Sequence, residues 1–207
     1  LQNGTMIFDV AASGSADAAI SWTTAMTINN SGNVGIGNTA SGFNAQADNL
    51  SVGTGSGANG ITIYSGNDSS GNIFFADGTS GDDPTRGGIN YNHANNSISF
   101  RVNDSPKMRI DSAGNVGIGA TPEAWHSVWS ATRIGDGASL TGRSDVTSAD
   151  LGSNFYINAT ADFKAIDTSG ASRHYMYNGA HYFYVDPPNS AGRTISWKTA
   201  MTIKNDG

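Results

Sequence analysis

Residues 25–37 read AMTINNSGNVGIG, residues 107–119 read KMRIDSAGNVGIG, and residues 200–207 read AMTIKNDG. The interval is 82 residues from Met26 to Met108 and 93 residues from Met108 to Met201. Such a period is typical of an array of similar units, because one unit is too small to bury its apolar face alone. The repeat therefore predicts three units, at residues 1–37, 38–119 and 120–207.

Each copy of the motif indicates a strand, a turn and a return arm. Apolar and polar residues alternate over residues 20–28, which predicts a half-buried strand. Residues 29–32 place Asn first and Gly fourth, as a type I turn prefers. In the return arm, Val34 and Ile36 share one face and Gly35 lies on the other. A glycine face predicts either a bulge or a close backbone approach, and we expect such an approach from another chain.

Other elements are predicted between the hairpins. Pro106 lacks an N–H for the sheet ladder, so the strand of the second copy is expected to break or bulge there. One short helix is expected near 121–131, because Pro122 suits the first helical position and Trp125 and Trp129 share a face at helical spacing. Short strands are predicted at residues 60–64, 72–75, 88–91, 154–157 and 175–177.

The composition argues against a conventional core. Leu, Ile, Val and Phe make up about 17% of the 207 residues, below the roughly 20% at which disorder becomes a concern. A net charge of −6 is too small to expand the chain, and the ordered alternation disfavours disorder. We therefore expect an obligate oligomer, in which several chains share one core.

Composition also limits the function classes. The acidic balance, with basic residues scattered along the chain, gives no reason to expect a nucleic-acid partner. Cysteine is absent, which excludes disulfides and thiolate metal sites. No stretch approaches 18 apolar residues, so neither membrane insertion nor a signal peptide is expected. Because the chain opens at Leu1 and ends within the motif, we expect part of a longer protein.

Three stretches resemble one protein family. Residues 108–119 (MRIDSAGNVGIG) resemble the repeated signature of tailed-bacteriophage tail-fibre proteins. FADGTSG at residues 75–81, with RGGINYNH at 86–93, is similar to the stretch that precedes that signature. TPEAWHS at residues 121–127, leading into RIG at 133–135, resembles what commonly follows it.

The resemblance implies an all-β, elongated and intertwined homotrimeric fibre of repeated hairpin units. It implies a structural role, with no enzyme activity and no cofactor, in an extracellular virion tail. The partners would be other tail proteins and a host surface glycan or protein. In this interpretation the trimer core is formed by Met26, Ile28, Val34, Ile36, Met108, Ile110, Val116, Ile118, Met201 and Ile203.

One aromatic cluster is a candidate for glycan or receptor contact. Tyrosine and histidine rings stack on sugars and hydrogen-bond hydroxyls, although ordinary sheet packing is favoured for the same residues. Packing is also the expected role of the histidines. His174 and His181 lie seven residues apart, and a metal site there would need a third ligand that the sequence does not indicate. The candidate contact residues are Tyr175, Tyr177, His181, Tyr182 and Tyr184.

Two alternatives remain open at this stage. A polysaccharide-cleaving tailspike would need paired carboxylates, for which Asp145 with Asp150, or Asp162 with Asp167, are candidates. Turn or structural roles are favoured for each of these acids, and also for Asp77, Asp82 and Asp83, which could otherwise offer oxygen ligands to calcium. The second alternative is a bacterial surface adhesin of similar repeat build.

Overall fold

The computed structural model describes residues 3–206 and falls into two compact units, with the boundary between Ile63 and Tyr64. Both units are built from β-strands, as the alternating sequence predicts. The repeat limits at 37/38 and 119/120 are intervals of sequence rather than compact units, and they stay a prediction. Gly207, which ends the third copy, lies outside the described residues.

The first unit is a four-stranded sheet in the order β1-β2-β3-β4. The first three strands pair antiparallel, and β4 pairs parallel with β3. Its strands are β1 (Met6–Ala11), β2 (Trp22–Ile28), β3 (Val34–Ile36) and β4 (Leu50–Val52).

The second unit is dominated by one eleven-stranded sheet, in the order β17-β16-β15-β12-β11-β10-β9-β8-β7-β6-β5. All neighbours pair antiparallel except β9 and β10, which are parallel. A single 3₁₀ turn, Asp83–Thr85, precedes β6. The strands are β5 (Ser70–Phe75), β6 (Gly87–Asn92), β7 (Ser97–Val102), β8 (Ser105–Ile110), β9 (Val116–Ile118), β10 (Trp129–Ile134), β11 (Ala138–Arg143), β12 (Ser148–Ser153), β15 (Ala171–Tyr177), β16 (Ala180–Asp186) and β17 (Lys198–Ile203).

A small two-stranded sheet covers part of one side of the large sheet. It pairs β13 (Phe155–Ile157) antiparallel with β14 (Phe163–Ala165). Its rings meet edge to face, as Phe155 and Trp197 do at 5.5 Å between centroids. The buried hydrophobic cluster here consists of Trp125, Ala131, Phe155, Ile157, Ala165, Ala171 and Ile195.

The predicted hairpins are confirmed in the first two copies. β2 pairs antiparallel with β3, and β8 with β9. The Gly32 N–H donates to the Asn29 carbonyl at 3.0 Å, and the Gly114 N–H donates to the Asp111 carbonyl at 3.0 Å. Both glycines have φ near +85°, where a Cβ would be strained. The Asx-to-Gly spacing thus produces the same turn twice.

The close approach at the glycine face comes from the same chain, which corrects the expectation of a second chain. A Cβ added to Gly35 would lie 2.7 Å from the Ala40 backbone nitrogen. One added to Gly117 would lie 2.8 Å from Pro122 Cδ. The chain leaving each return arm folds back over the glycine, and a side chain would block it.

A β-bulge recurs in all three copies, directly after a phenylalanine. The register shifts between Phe8 and Asp9 in β1, between Phe100 and Arg101 in β7, and after Phe183 in β16. Each phenylalanine pairs with the methionine of its motif, as Phe100 does with Met108. The structural repeat therefore includes the strand before the motif.

The helix expected near 121–131 is wrong. Residues 121–126 are irregular, and Trp129 begins strand β10. The His126 N–H donates to the Ile157 carbonyl at 2.8 Å, which ties this segment to β13. A helix of two or three turns is marginal by itself, and the tryptophans gain more by packing beside Phe155.

Two smaller expectations have different outcomes. The strand predicted at residues 60–64 is wrong, since this segment has no strand partner and Tyr64 is 98% exposed. The bulge expected at Pro106 is confirmed, since the pairs Phe100–Met108 and Arg101–Pro106 leave Lys107 as an extra residue directly after it. A two-residue turn at Asn103-Asp104, where both φ values are positive, precedes this strand. Such values suit a tight hairpin turn, and Pro106 itself lies in β8.

Candidate functional site

Four of the candidate contact residues form one cluster, here called the tyrosine surface (Tyr175, Tyr177, Tyr182 and Tyr184). They lie on the same side of the adjacent strands β15 and β16, and Tyr175 is directly opposite Tyr182. Ring centroids are 5.7 Å apart for Tyr175 and Tyr177, and 6.2 Å for Tyr182 and Tyr184. The two rings of each same-strand pair are within about 10° of parallel.

His181, the fifth candidate, lies on the other side of the sheet. It precedes Tyr182 in an extended strand, and consecutive side chains of a strand point to opposite faces. Its Nδ1 lies 2.9 Å from Nε2 of His174. The His174 ring stacks on Phe183, with centroids 4.3 Å apart and planes 7° apart. The structure thus separates His181 from the tyrosines and pairs it with His174.

Arg173 is a cation embedded in the tyrosine surface. Its guanidinium carbon lies 4.2 Å from the ring centroid of Tyr175 and 4.6 Å from that of Phe163. The guanidinium also pairs with the carboxylate of Asp150, which is fully buried and accepts a 3.3 Å hydrogen bond from the Thr141 hydroxyl. The ion pair neutralises the buried acid, and the ring faces gain a cation–π contact.

Burial also affects the phenols. Desolvation raises the pKa of Tyr175, so this ring stays protonated at neutral pH. Arg143, at the end of β11, has its guanidinium carbon 4.6 Å from the Trp129 ring centroid and forms an ion pair with Asp145. The hydrogen bond from Arg143 lowers the pKa of Asp145. The surface therefore offers hydroxyls and ring faces, and both arginines are paired with acids.

The opposite side of the large sheet is apolar, and it is called here the apolar face. Register places its residues in rows that cross all eleven strands, and every one of them is half-buried or exposed. Ile118 is 43% exposed, Leu151 56% and Met201 48%. The apolar face comprises Ile73, Ile89, Ile98, Phe100, Met108, Ile110, Val116, Ile118, Ile134, Leu140, Leu151, Met176, Phe183, Met201 and Ile203.

The large sheet buries polar side chains and exposes apolar ones, which is the opposite of the usual arrangement. On the side of the sheet that carries the tyrosines, several small and polar residues are buried: Ala131, Ser139, Thr141 and Asp150. Their apolar neighbours along the same strands are exposed, as in Leu140 and Leu151. A single chain thus buries its less apolar sheet face and leaves the more apolar one in contact with solvent.

The residues expected in a trimer core fall on two such faces. In the first unit, Met26 lies opposite Ile36, and Ile28 opposite Val34, on one side of the sheet. The corresponding residues of the second and third copies belong to the apolar face of the second unit: Met108, Ile110, Val116, Ile118, Met201 and Ile203.

Five of the seven candidate acids are held in ion pairs, and Asp167 instead accepts a hydrogen bond from the Ser169 N–H. Asp77 and Asp83 both bind Arg86, with the Asp83 contact at 2.6 Å. Asp162 lies 3.7 Å from the Lys164 amine. Among residues 3–206 no group of three or more His, Asp or Glu is arranged to hold a metal ion. Within the same residues, no helix has the length and apolar character to cross a membrane.

Sequence reasoning named Asp150 only as a candidate acid and missed its ion pair with Arg173, which lies 23 residues away. The only available signal was alternation, which puts Arg173 on the same strand face as Tyr175. Comparison with known proteins finds no matching protein family, no matching curated protein and no matching solved structure.

Proposed function

We propose that this chain is a structural segment of a trimeric phage tail fibre that helps to attach the virion to the host cell surface. In this proposal it is a non-enzymatic, extracellular virion component. It contacts two further copies of itself, other tail proteins, and a glycan or protein of the host. The motif resemblance supplies the family, and the geometry of the sheet supplies the physical support.

The observation that carries the proposal is the exposed apolar face. Single-chain soluble proteins rarely expose contiguous apolar patches beyond a few hundred square ångströms, and larger patches mark interaction surfaces. This face crosses eleven strands and includes the methionine and isoleucine positions of the repeat. Burying one such side chain completely contributes about 1.5–3 kcal/mol, and the exposed ones have roughly half of that to gain.

A second copy of the chain is the occupant that fits this face best. The same side of the hairpin recurs in the first unit, where Ile36 is 45% exposed. A face that repeats along the chain matches a partner with the same repeat, as identical chains in register provide. The scarcity of large apolar residues also favours a core shared between chains.

The tyrosine surface is the proposed contact with the host. Its ring faces suit stacking on sugars, and Tyr177, at 42% exposure, is the most accessible member. Three chains would present three copies of the surface, so a weak contact gains strength by multivalency. The non-enzymatic part of the proposal is supported by Asp150, whose carboxylate is buried against Arg173 and unable to reach a substrate.

The experiment that tests the proposal is a mass measurement by light scattering. We expect about 64 kDa, three times the 21.4 kDa chain. Leu151→Asp should give smaller species, because it places a charge in the buried interface. Thr202→Asp is the matched control, since Thr202 is exposed on the opposite side of the sheet, beside Tyr182. A stable 21 kDa wild-type chain, or unchanged trimers of Leu151→Asp, would contradict the proposal.

A further inference from the structure

The repeat makes the His174–His181 pair an exception on the apolar face. β15 and β16 have the same register as β6 and β7: His174 lies opposite Phe183 as Ile89 lies opposite Phe100. By the same register, His181 occupies the position of Ile98. Two isoleucines of one copy are thus replaced by two histidines in the next. Packing alone does not account for this exchange, because imidazole is the poorer apolar residue.

The two imidazoles point their nitrogens at each other. His174 Nε2 and His181 Nδ1 are 2.9 Å apart, and the ring planes differ by 23°. One nitrogen donates the proton and the other accepts it. Both rings are half-buried, and Phe183 fixes His174 from one side. In the single chain the pair is therefore ordered, accessible to small ions and built from that chain's residues alone.

The spacing of the two nitrogens suits a metal. With metal–nitrogen bonds of about 2.0–2.1 Å, nitrogens 2.9 Å apart subtend about 90° at the metal. That is the angle between neighbouring ligands in the square-planar and tetragonal sites of Cu²⁺ and Ni²⁺. Because the χ2 torsion of histidine is soft, both rings can turn their lone pairs onto one cation beside the N···N line.

Met176 adds a soft donor to the same patch. It lies directly opposite His181 and two residues after His174, so its side chain shares the apolar face. A thioether with two imidazoles is a donor set that favours copper. The half-exposure of both rings leaves solvent to fill the remaining coordination positions.

We propose that His174 and His181 form a bidentate site for a divalent transition metal, with Cu²⁺ as the best-fitting ion. The proton held between the two facing nitrogens moves to the outer nitrogen of its own ring, and the cation binds both lone pairs from beside the N···N line. Each ring then carries its N–H on the outer nitrogen. Its protein ligands all come from one chain, so the site is complete in the single chain, before a second copy covers the apolar face.

Copper titration of the purified chain tests the site. With CuCl₂ as the probe, we expect one tight Cu²⁺ per chain by calorimetry, with an electron paramagnetic resonance spectrum showing two nitrogen ligands. His174→Ile and His181→Ile should each weaken binding at least tenfold. The isoleucine is native to the equivalent positions, so folding should be kept, and circular dichroism checks this. A double variant, His93→Ala with His126→Ala, is the control and should bind as the wild type does.

The repeat also allows the site to be built a second time. Ile89→His with Ile98→His should add a second Cu²⁺ of similar spectrum, because the register around these positions is the same. Wild-type affinity in His174→Ile, loss of binding in the His93/His126 variant, or no added site in the histidine double variant would each count against the proposal. Light scattering on the same samples reports the assembly state separately.

Discussion

Arg173 and Asp150 form an ion pair in which the acid is fully buried and the base lies against the tyrosine rings. The two residues are on neighbouring strands, offset diagonally in register, since Arg173 lies opposite Gly152. Gly152 leaves the space that the Phe155 ring fills, so the small sheet can close over the ion pair. One charged pair thus links the large sheet, the small sheet and the tyrosine surface.

Removing one partner of this pair should be costly. Asp150→Ala leaves the Arg173 guanidinium buried without its carboxylate, and we expect a loss of about 3–5 kcal/mol in the free energy of unfolding. Urea denaturation measures it. Asp145→Ala is the control, because Asp145 pairs with Arg143 at the exposed surface, and we expect its loss to destabilise the fold far less than Asp150→Ala does. Equal losses in both variants would show that burial of the Asp150 pair does not matter.

We expect that Gly117, in the return arm of the second copy, cannot be replaced by a residue with a side chain without loss of stability. In Gly117→Ala the new Cβ would press on Pro122, and we expect a loss of about 1–3 kcal/mol in the free energy of unfolding, as for other overpacked sites. Gly142→Ala is the matched control: it lies in β11, and its nearest atom would be 3.7 Å away. If both variants unfold at the same urea concentration, the close approach at Gly117 is not what fixes this glycine.

Most of the correct predictions from the sequence depended on residues that are close together along the chain. The turns at 29–32 and 111–114 depend on four adjacent residues, and their hydrogen bonds form as expected. The separation of His181 from the tyrosines could also have been predicted from the sequence, since consecutive residues of a strand face opposite sides of the sheet. The Arg173–Asp150 pair was not, because it depends on the pairing of β12 with β15. The helix near 121–131 failed for a similar reason: tertiary contacts of Trp125 override a weak local preference.

Asp111, in the turn of the second copy, occupies the same position as Asn29 in the first copy, so the roles of the two side chains can be compared. Asp111 Oδ1 accepts hydrogen bonds from the backbone N–H groups of Ala113 and Asn115, each at 2.9 Å. Asn29 Oδ1 does the same in the first copy. Asp111→Ala should therefore lower the free energy of unfolding by about 0.5–2 kcal/mol, because two backbone N–H groups and the Asn115 side-chain amide lose their acceptor.

Asp111→Asn is the comparison variant, since Asn29 shows that an amide oxygen can accept both backbone hydrogen bonds. Its amide nitrogen would replace Oδ2, which accepts a 3.1 Å hydrogen bond from the Asn115 side chain. In urea denaturation we therefore expect Asp111→Asn to lose less than Asp111→Ala, and an equal loss would contradict the role of Oδ1 in the turn.

Acid should weaken the turn between β7 and β8 through Asp104. The 2.7 Å hydrogen bond from the Thr85 hydroxyl, and then the one from Arg101, lower the pKa of this carboxyl. A lowered folded-state pKa means that the ionised acid stabilises the fold. This contribution is complete above the ordinary aspartate pKa of about 3.9 and is lost as the pH falls through the lower folded value.

Melting temperatures of the wild type and Asp104→Asn, taken between pH 7 and pH 2, test this sign. The wild type should melt higher at pH 7 and at pH 5, with an unchanged difference, because Asp104 is ionised at both. Below about pH 4 the difference should shrink, since the protonated acid and the amide then resemble each other. Asp206→Asn is the control, because Asp206 is exposed, and it should show no such trend. A gap between wild type and Asp104→Asn that widens towards acid would contradict the lowered pKa.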